Sequence, residues 1–81
     1  MSILVWVYAM EYRYDGTQEK CPLPLVKTRV ILNKMAQGDR CWVLLSDGGS
    51  KSDIPRYLKR KQIPHTITTL ENNNIEIVIT R

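Results

Sequence analysis

Eighty-one residues make one small domain, and a chain this short buries only a modest share of its surface, so its core must be compact and single. Hydrophobic residues at 43% and charged residues at 25% are ordinary for a soluble globular protein. The net charge of +4 permits an anionic partner without requiring one. Two cysteines and one histidine cannot supply a four-ligand zinc site, so no metal is expected.

The chain opens on Ile3-Leu4-Val5-Trp6-Val7-Tyr8-Ala9-Met10, apolar but far shorter than the roughly 20 residues that span a bilayer. It lacks the basic flank of a secretory signal. Residues 1–9 therefore read either as a strand extension or as an arm that packs against a partner or a second copy, and residues 10–81 as a single domain. With no leader expected, and with Cys41 in an apolar strand, a reducing, cytoplasmic setting fits best and a Cys21–Cys41 disulfide is not expected.

From Met10 to Tyr14, aromatic and apolar residues alternate with Glu11 and Arg13, the pattern of a half-buried strand, and Asp15-Gly16 ends it in a turn. After the loop Thr17 to Lys20, a helix is predicted from Pro22 to about Gln37, closed by Gly38 in a left-handed cap. Leu25, Thr28, Ile31, Leu32 and Met35 fall on one stripe of that helix at about 100° per residue and should face a sheet. Leu23, Val26 and Val30 fall on the other side, beside Lys27 and Lys34, and form either part of a wide core face or a docking surface.

Arg40 to Leu45 is strongly apolar, as a central strand is. Ser46-Asp47-Gly48-Gly49 reads as a flexible turn before a second helix that runs to about Lys61. Ser50 with Asp53, or Ser52 alone, would cap it; Pro55 is tolerable only near its start; Ile54, Tyr57 and Leu58 would face inward. Arg56, Lys59, Arg60 and Lys61 make a basic face, either solvated or a patch for a partner protein or an RNA. Pro64 precedes a third strand from His65 to Leu70. Asn72-Asn73-Asn74 is a turn tolerant of positive φ, and Ile75, Ile77 and Ile79 alternate through a fourth strand. The order β-α-β-α-β-β, with right-handed crossovers, predicts a two-layer α/β sandwich: a mixed four-stranded sheet with both helices on one face.

Cys21-Pro22-Leu23-Pro24 carries the chemistry. Proline suits the first helical turn, where its missing amide would have no partner, so Pro22 reads as the first helical residue and Cys21 as its N-cap. Pro24 offers no amide, which leaves that of Leu23 for the sulfur. The helix dipole and the adjacent Lys20 should then push the thiol toward thiolate. The alternative is that Cys21 is a small, buried, inert residue.

The Cys-Pro-x-Pro motif at a helix start, in this element order, resembles the TusA/SirA sulfur-carrier family. The match runs from about Tyr12 to Arg81 and includes Gly16, the helix ending at Gly38-Asp39, Asp47, Asp53-Ile54-Pro55 and His65. The resemblance implies a sheet whose last strand runs antiparallel. It also implies that Cys21 carries persulfide sulfur, with no other cofactor, from a cysteine desulfurase or rhodanese-like donor to a protein acceptor. Relatives serve tRNA thiolation, molybdenum-cofactor biosynthesis or other sulfur metabolism. The chain departs from the family pattern in a Gly16-to-Cys21 loop two residues longer than usual, in Gly48 where Pro often follows Asp, and in Pro64 where Gly often precedes His.

The expected site is thus Cys21 as the reactive group, with Pro22 and Pro24 fixing it and Gly16 and Asp53 in supporting roles. Lys20, Leu23, Val26, Lys27 and Arg56 would form the docking surface. Asp47 has a weaker claim to lie near Cys21; His65 is expected to hydrogen-bond or pack, Cys41 to sit in the core, and Trp42 on the outer sheet face or against a partner. Two other readings compete: a non-catalytic module that binds protein or RNA, and a redox-sensing thiol protein. Nothing suggests DNA.

Overall fold

The computed structural model describes residues 10–81; the apolar arm predicted for residues 1–9 lies outside the described residues. In chain order the elements are β1 (Glu11–Asp15), α1 (Leu23–Lys34), β2 (Arg40–Leu45), α2 (Gly48–Arg60), β3 (His65–Thr69) and β4 (Ile75–Thr80). The four strands form one sheet in the order β1-β2-β4-β3. β1 runs parallel to β2, whereas β4 is antiparallel to both β2 and β3. The mixed sheet with two helices is the two-layer architecture that the alternation of periods implied.

Side-chain alternation sorts the sheet into two faces. Cys41, Val43 and Leu45 of β2 and Ile77 and Ile79 of β4 are buried together with Leu32 and Met35 from the α1 end and Ile54 and Leu58 of α2. Tyr12 and Tyr14 of β1 are half-buried against this cluster, while Glu11, Arg13 and Asp15 are exposed. On the opposite face Trp42, Leu44 and Val78 are half-buried, and Arg13 lies over the Trp42 ring at 4.8 Å from its centroid. Trp42 therefore occupies the outer sheet face.

Both helices differ at their ends from the sequence expectation. α1 stops at Lys34, with Met35 already extended, rather than at Gln37. Asp39 is the cause: its buried carboxylate accepts the Ala36 amide (2.8 Å) and the Met10 amide (2.9 Å), and its own amide bonds Ala36 O (3.1 Å). The turn so formed passes through Gly38 at φ +95°, a left-handed conformation that suits glycine. The expected third strand is one residue shorter than Leu70, and the asparagine turn takes positive φ at Asn72 and Asn73. α2 begins at Gly48, before the predicted caps Ser50 and Ser52, which places Pro55 inside the helix. Its missing amide leaves the Lys51 carbonyl without its usual partner.

Among the described residues no helix is long and apolar enough to cross a membrane. The basic residues Arg56, Lys59, Arg60 and Lys61 are all exposed.

Two substitutions test the packing. Leu58 is fully buried, so Leu58→Ala should cost about 2–5 kcal/mol in urea unfolding. Thr28 is also fully buried and its hydroxyl has no hydrogen-bond partner among the described residues. Thr28→Val keeps the shape and removes that polar atom, and should raise stability by about 1 kcal/mol.

Candidate functional site

The loop between β1 and α1 brings Cys21 onto the N-terminal half of α2. Gly16 continues the β1 ladder through its amide to Leu44 O (2.8 Å) and packs so close to Tyr14 that an added Cβ would lie 3.1 Å from the ring. The longer loop is then pinned along its length. The Asp15 carboxylate accepts the Thr17 amide (2.9 Å), the Ser46 hydroxyl donates to Thr17 O (2.7 Å), and Glu19 takes hydrogen bonds from both the Tyr14 hydroxyl and the Lys27 ammonium. Lys27 and Tyr14 hold the Glu19 carboxyl below its ordinary range, and burial followed by Glu19 pushes the Tyr14 hydroxyl up. Lys27, expected on the docking surface, is engaged by this ion pair.

Cys21 is not the N-cap of α1. The cap is Pro22, and no side chain caps the helix. The Leu23 amide, expected to be free for sulfur, donates instead to Lys20 O (3.0 Å), which folds residues 20–23 into a turn ahead of the helix. Pro24 is fully buried, so its evident role is to seat this turn on the core. Cys21 itself is exposed.

Two carboxylates from the far side of the sequence hold Cys21 instead. The Cys21 amide donates to Asp47 Oδ2 (3.2 Å) and its Sγ–H to Asp53 Oδ2 (3.3 Å). The same Asp47 oxygen accepts the Ser50 amide (3.0 Å) and the Ser50 hydroxyl (3.3 Å), which makes Asp47 the N-cap of α2. Asp53, expected to cap that helix, lies inside it and faces the thiol. Gly49 completes the contact: a Cβ there would meet Cys21 Cβ and Asp47 Oδ2, each at 3.2 Å.

These contacts reverse the electrostatic expectation for the thiol. The Cys21 pKa is raised above its ordinary value, first by the hydrogen bond to Asp53, then by partial desolvation and by the charges of Asp53 and Asp47. The Cys21 thiol is therefore exposed and held toward its protonated form. The donors on Asp47, led by the Ser50 and Cys21 amides, hold its carboxyl below the ordinary range. That stabilisation is present above the ordinary carboxylate pKa and is lost as the pH falls through the depressed one. Cys41 is fully buried and its pKa is raised to about 11 by desolvation, which leaves Cys21 as the accessible cysteine.

The remaining candidates fall around this centre. Asp53 lines a surface hollow of about 180 Å³ together with Leu25, Arg56, Tyr57 and Arg60. Lys20 is exposed beside Cys21. Leu23, Val26 and Val30 are 49%, 47% and 48% exposed, so this side of α1 is an apolar ridge and not a second core face. His65 is apart from this group of contacts; its Nδ1 pairs with Ile63 O at 2.8 Å. Among the described residues no cluster of His, Cys, Asp and Glu could hold a metal ion. Asp47 is tied more closely to Cys21 than its weaker claim in the sequence suggests, and Gly49, which reads as a turn glycine, packs against the cysteine. Asp at this position, three residues before Ser50, is a strong N-cap signal.

Iodoacetamide alkylation followed against pH should show a Cys21 midpoint above that of an unstructured cysteine, with slow reaction at neutral pH. Gly49→Ala should speed the neutral-pH reaction severalfold by wedging Cys21 away from Asp53. Cys41 should react only on unfolding.

The sequence model of the family described as "Sulfurtransferase TusA" matches residues 12–81. A candidate sulfur carrier protein of Neisseria meningitidis serogroup A is 39% identical over 46 residues, which cover 57% of this chain and 62% of that protein. A candidate sulfur carrier protein of Halobacterium salinarum is 47% identical over 47 residues, 58% of each chain. The matched region thus spans about three fifths of these relatives. The crystal structure of a SirA-like protein from Desulfitobacterium hafniense superposes with a TM-score of 0.73 at 18% identity, covering 88% of this chain and 95% of that one, and shows the shared fold. With the matched segment holding every described element except the first residue of β1, the chain belongs to the TusA sulfurtransferase family.

Proposed function

We propose that this protein is a sulfur carrier that takes a sulfane sulfur onto Cys21 as a persulfide and passes it to a second protein. One observation carries the reading: the accessible cysteine of the fold is presented on a turn fixed from both sides, by buried Pro24 and by Asp47, in a chain of the TusA family. A carrier thiol must be open to two partners in turn, and Cys21 stands at an exposed junction of α1 and α2 and not in an enclosed pocket.

The donor in this reading is a protein such as a cysteine desulfurase or a rhodanese-like enzyme, and the acceptor a protein of tRNA thiolation, cofactor biosynthesis or related sulfur metabolism. Docking would use the ridge Leu23, Val26 and Val30, with Lys20 and Arg56 flanking Cys21. Apolar residues exposed in a row beside a reactive group suit a transient protein interface. A cytoplasmic setting accords with two cysteines that are both free thiols. No cofactor is needed beyond the covalently carried sulfur.

The reading is tested by incubating the protein with a cysteine desulfurase and cysteine, followed by intact mass measurement. The expected result is a gain of one sulfur atom that Cys21→Ser abolishes and Cys41→Ser retains. No gain from a desulfurase or a rhodanese donor, or a gain that survives Cys21→Ser, would overturn it.

A further inference from the structure

We infer that Asp53 is the base of the sulfur-uptake step, taking the Cys21 thiol proton on Oδ2 as Sγ attacks the donor. The inference rests on the sulfur-carrier reading of Cys21 and adds a second reacting group to it. Its starting point is a proton that must go somewhere. A thiol is a poor nucleophile while protonated, and nothing observed around Cys21 makes it a resting thiolate: Leu23 N is spent on Lys20 O. Among the described residues, Asp53 Oδ2 at 3.3 Å is the acceptor in hydrogen-bond contact with Sγ.

The charged groups around the thiol define the case. Asp47 lies beneath the Cys21 amide and is occupied by three donors, two from Ser50 and one from Cys21, so it holds the backbone and not the thiol. Lys20 is the neighbouring cation in the chain. Arg56 and Arg60 line the same surface hollow as Asp53. A general base must lie within hydrogen-bond reach of the proton it removes, and Asp53 does.

The step balances without a further reactant. Sγ bonds to the terminal sulfur of the donor persulfide, the donor S–S bond breaks, and the donor sulfur departs as a thiolate. The Cys21 proton moves to Asp53 Oδ2 and then to solvent, while the proton on the transferred sulfur stays with it. The product is Cys21 persulfide; Sγ is oxidised to the persulfide level as the donor sulfur is reduced to a thiolate, so no external oxidant or reductant is needed.

The test uses glutathione persulfide as donor, so that protein docking does not enter, and compares wild type with Asp53→Asn and Asp53→Ser. Stopped reactions are read by intact mass, and the thiol titration by iodoacetamide. Removing the carboxylate removes what raises the thiol pKa, so the alkylation midpoint should fall and the thiolate fraction at neutral pH should rise. Sulfur uptake at neutral pH should nevertheless drop about 100-fold, the scale of a lost general base. Above the thiol midpoint the deficit should vanish, because no proton then needs removing. Uptake that rises with the thiolate fraction, or a deficit that persists at alkaline pH, overturns the role of Asp53. If wild type loads, Cys21→Ser does not, and both Asp53 variants load at the wild-type rate, this inference fails while the carrier reading stands; if wild type itself gains no sulfur, both fail.

Discussion

A single carboxylate oxygen, Asp47 Oδ2, organises the functional end of this fold. It accepts the Ser50 amide and hydroxyl, which starts α2, and the Cys21 amide, which fixes the cysteine turn to that start. Helix and cysteine are therefore positioned by one atom. Because α2 begins at Gly48, its register delivers Asp53 to the thiol and Ile54 and Leu58 to the core. A helix started two or four residues later, at Ser50 or Ser52, would follow a different geometry at its N-terminus. Gly49 allows the close approach, since a Cβ there would press on Cys21 Cβ and Asp47 Oδ2 at 3.2 Å each.

The charge state of Cys21 shows which of two effects prevails. The N-terminus of α1 contributes about half a positive charge, and only where free amides point at the sulfur. Here the nearest amide is taken by Lys20 O, whereas a full carboxylate sits at hydrogen-bond distance and a second one lies behind it. A whole negative charge in contact outweighs half a positive one that is not aimed at the sulfur. These contacts hold Cys21 toward its protonated thiol form.

Much of the fold was legible because it rests on local chemistry. The alternation of Tyr12 and Tyr14 with charged neighbours, the stripe through Leu25, Thr28 and Leu32, and the isoleucine alternation from Ile75 to Ile79 each show in short windows. Positive φ at Asn72 and Asn73 follows from residue type in the same way. The site was only half legible. Cys21 and its prolines stand out in the sequence, but the groups that set its chemistry lie 26 and 32 residues away. The Gly48-Gly49 pair looks like a turn in isolation, which conceals Asp47 as a cap and shifts the reading of Asp53 by a full turn. Asp39 misled in the same manner: its buried carboxylate ends α1 early by taking the Ala36 amide, a contact that the nearby Gly38 obscures.

The geometry of the cysteine turn thus depends on Asp47 joining two segments that are remote in sequence, with the exposed ridge of α1 beside the thiol. Amide hydrogen exchange, resolved residue by residue, tests that dependence most directly. The account predicts that the Cys21 and Ser50 amides are both protected in the native protein and that Asp47→Ala releases the two together. A Cys21 amide that exchanges freely in the wild type, or one whose protection survives the loss of Asp47, would contradict it.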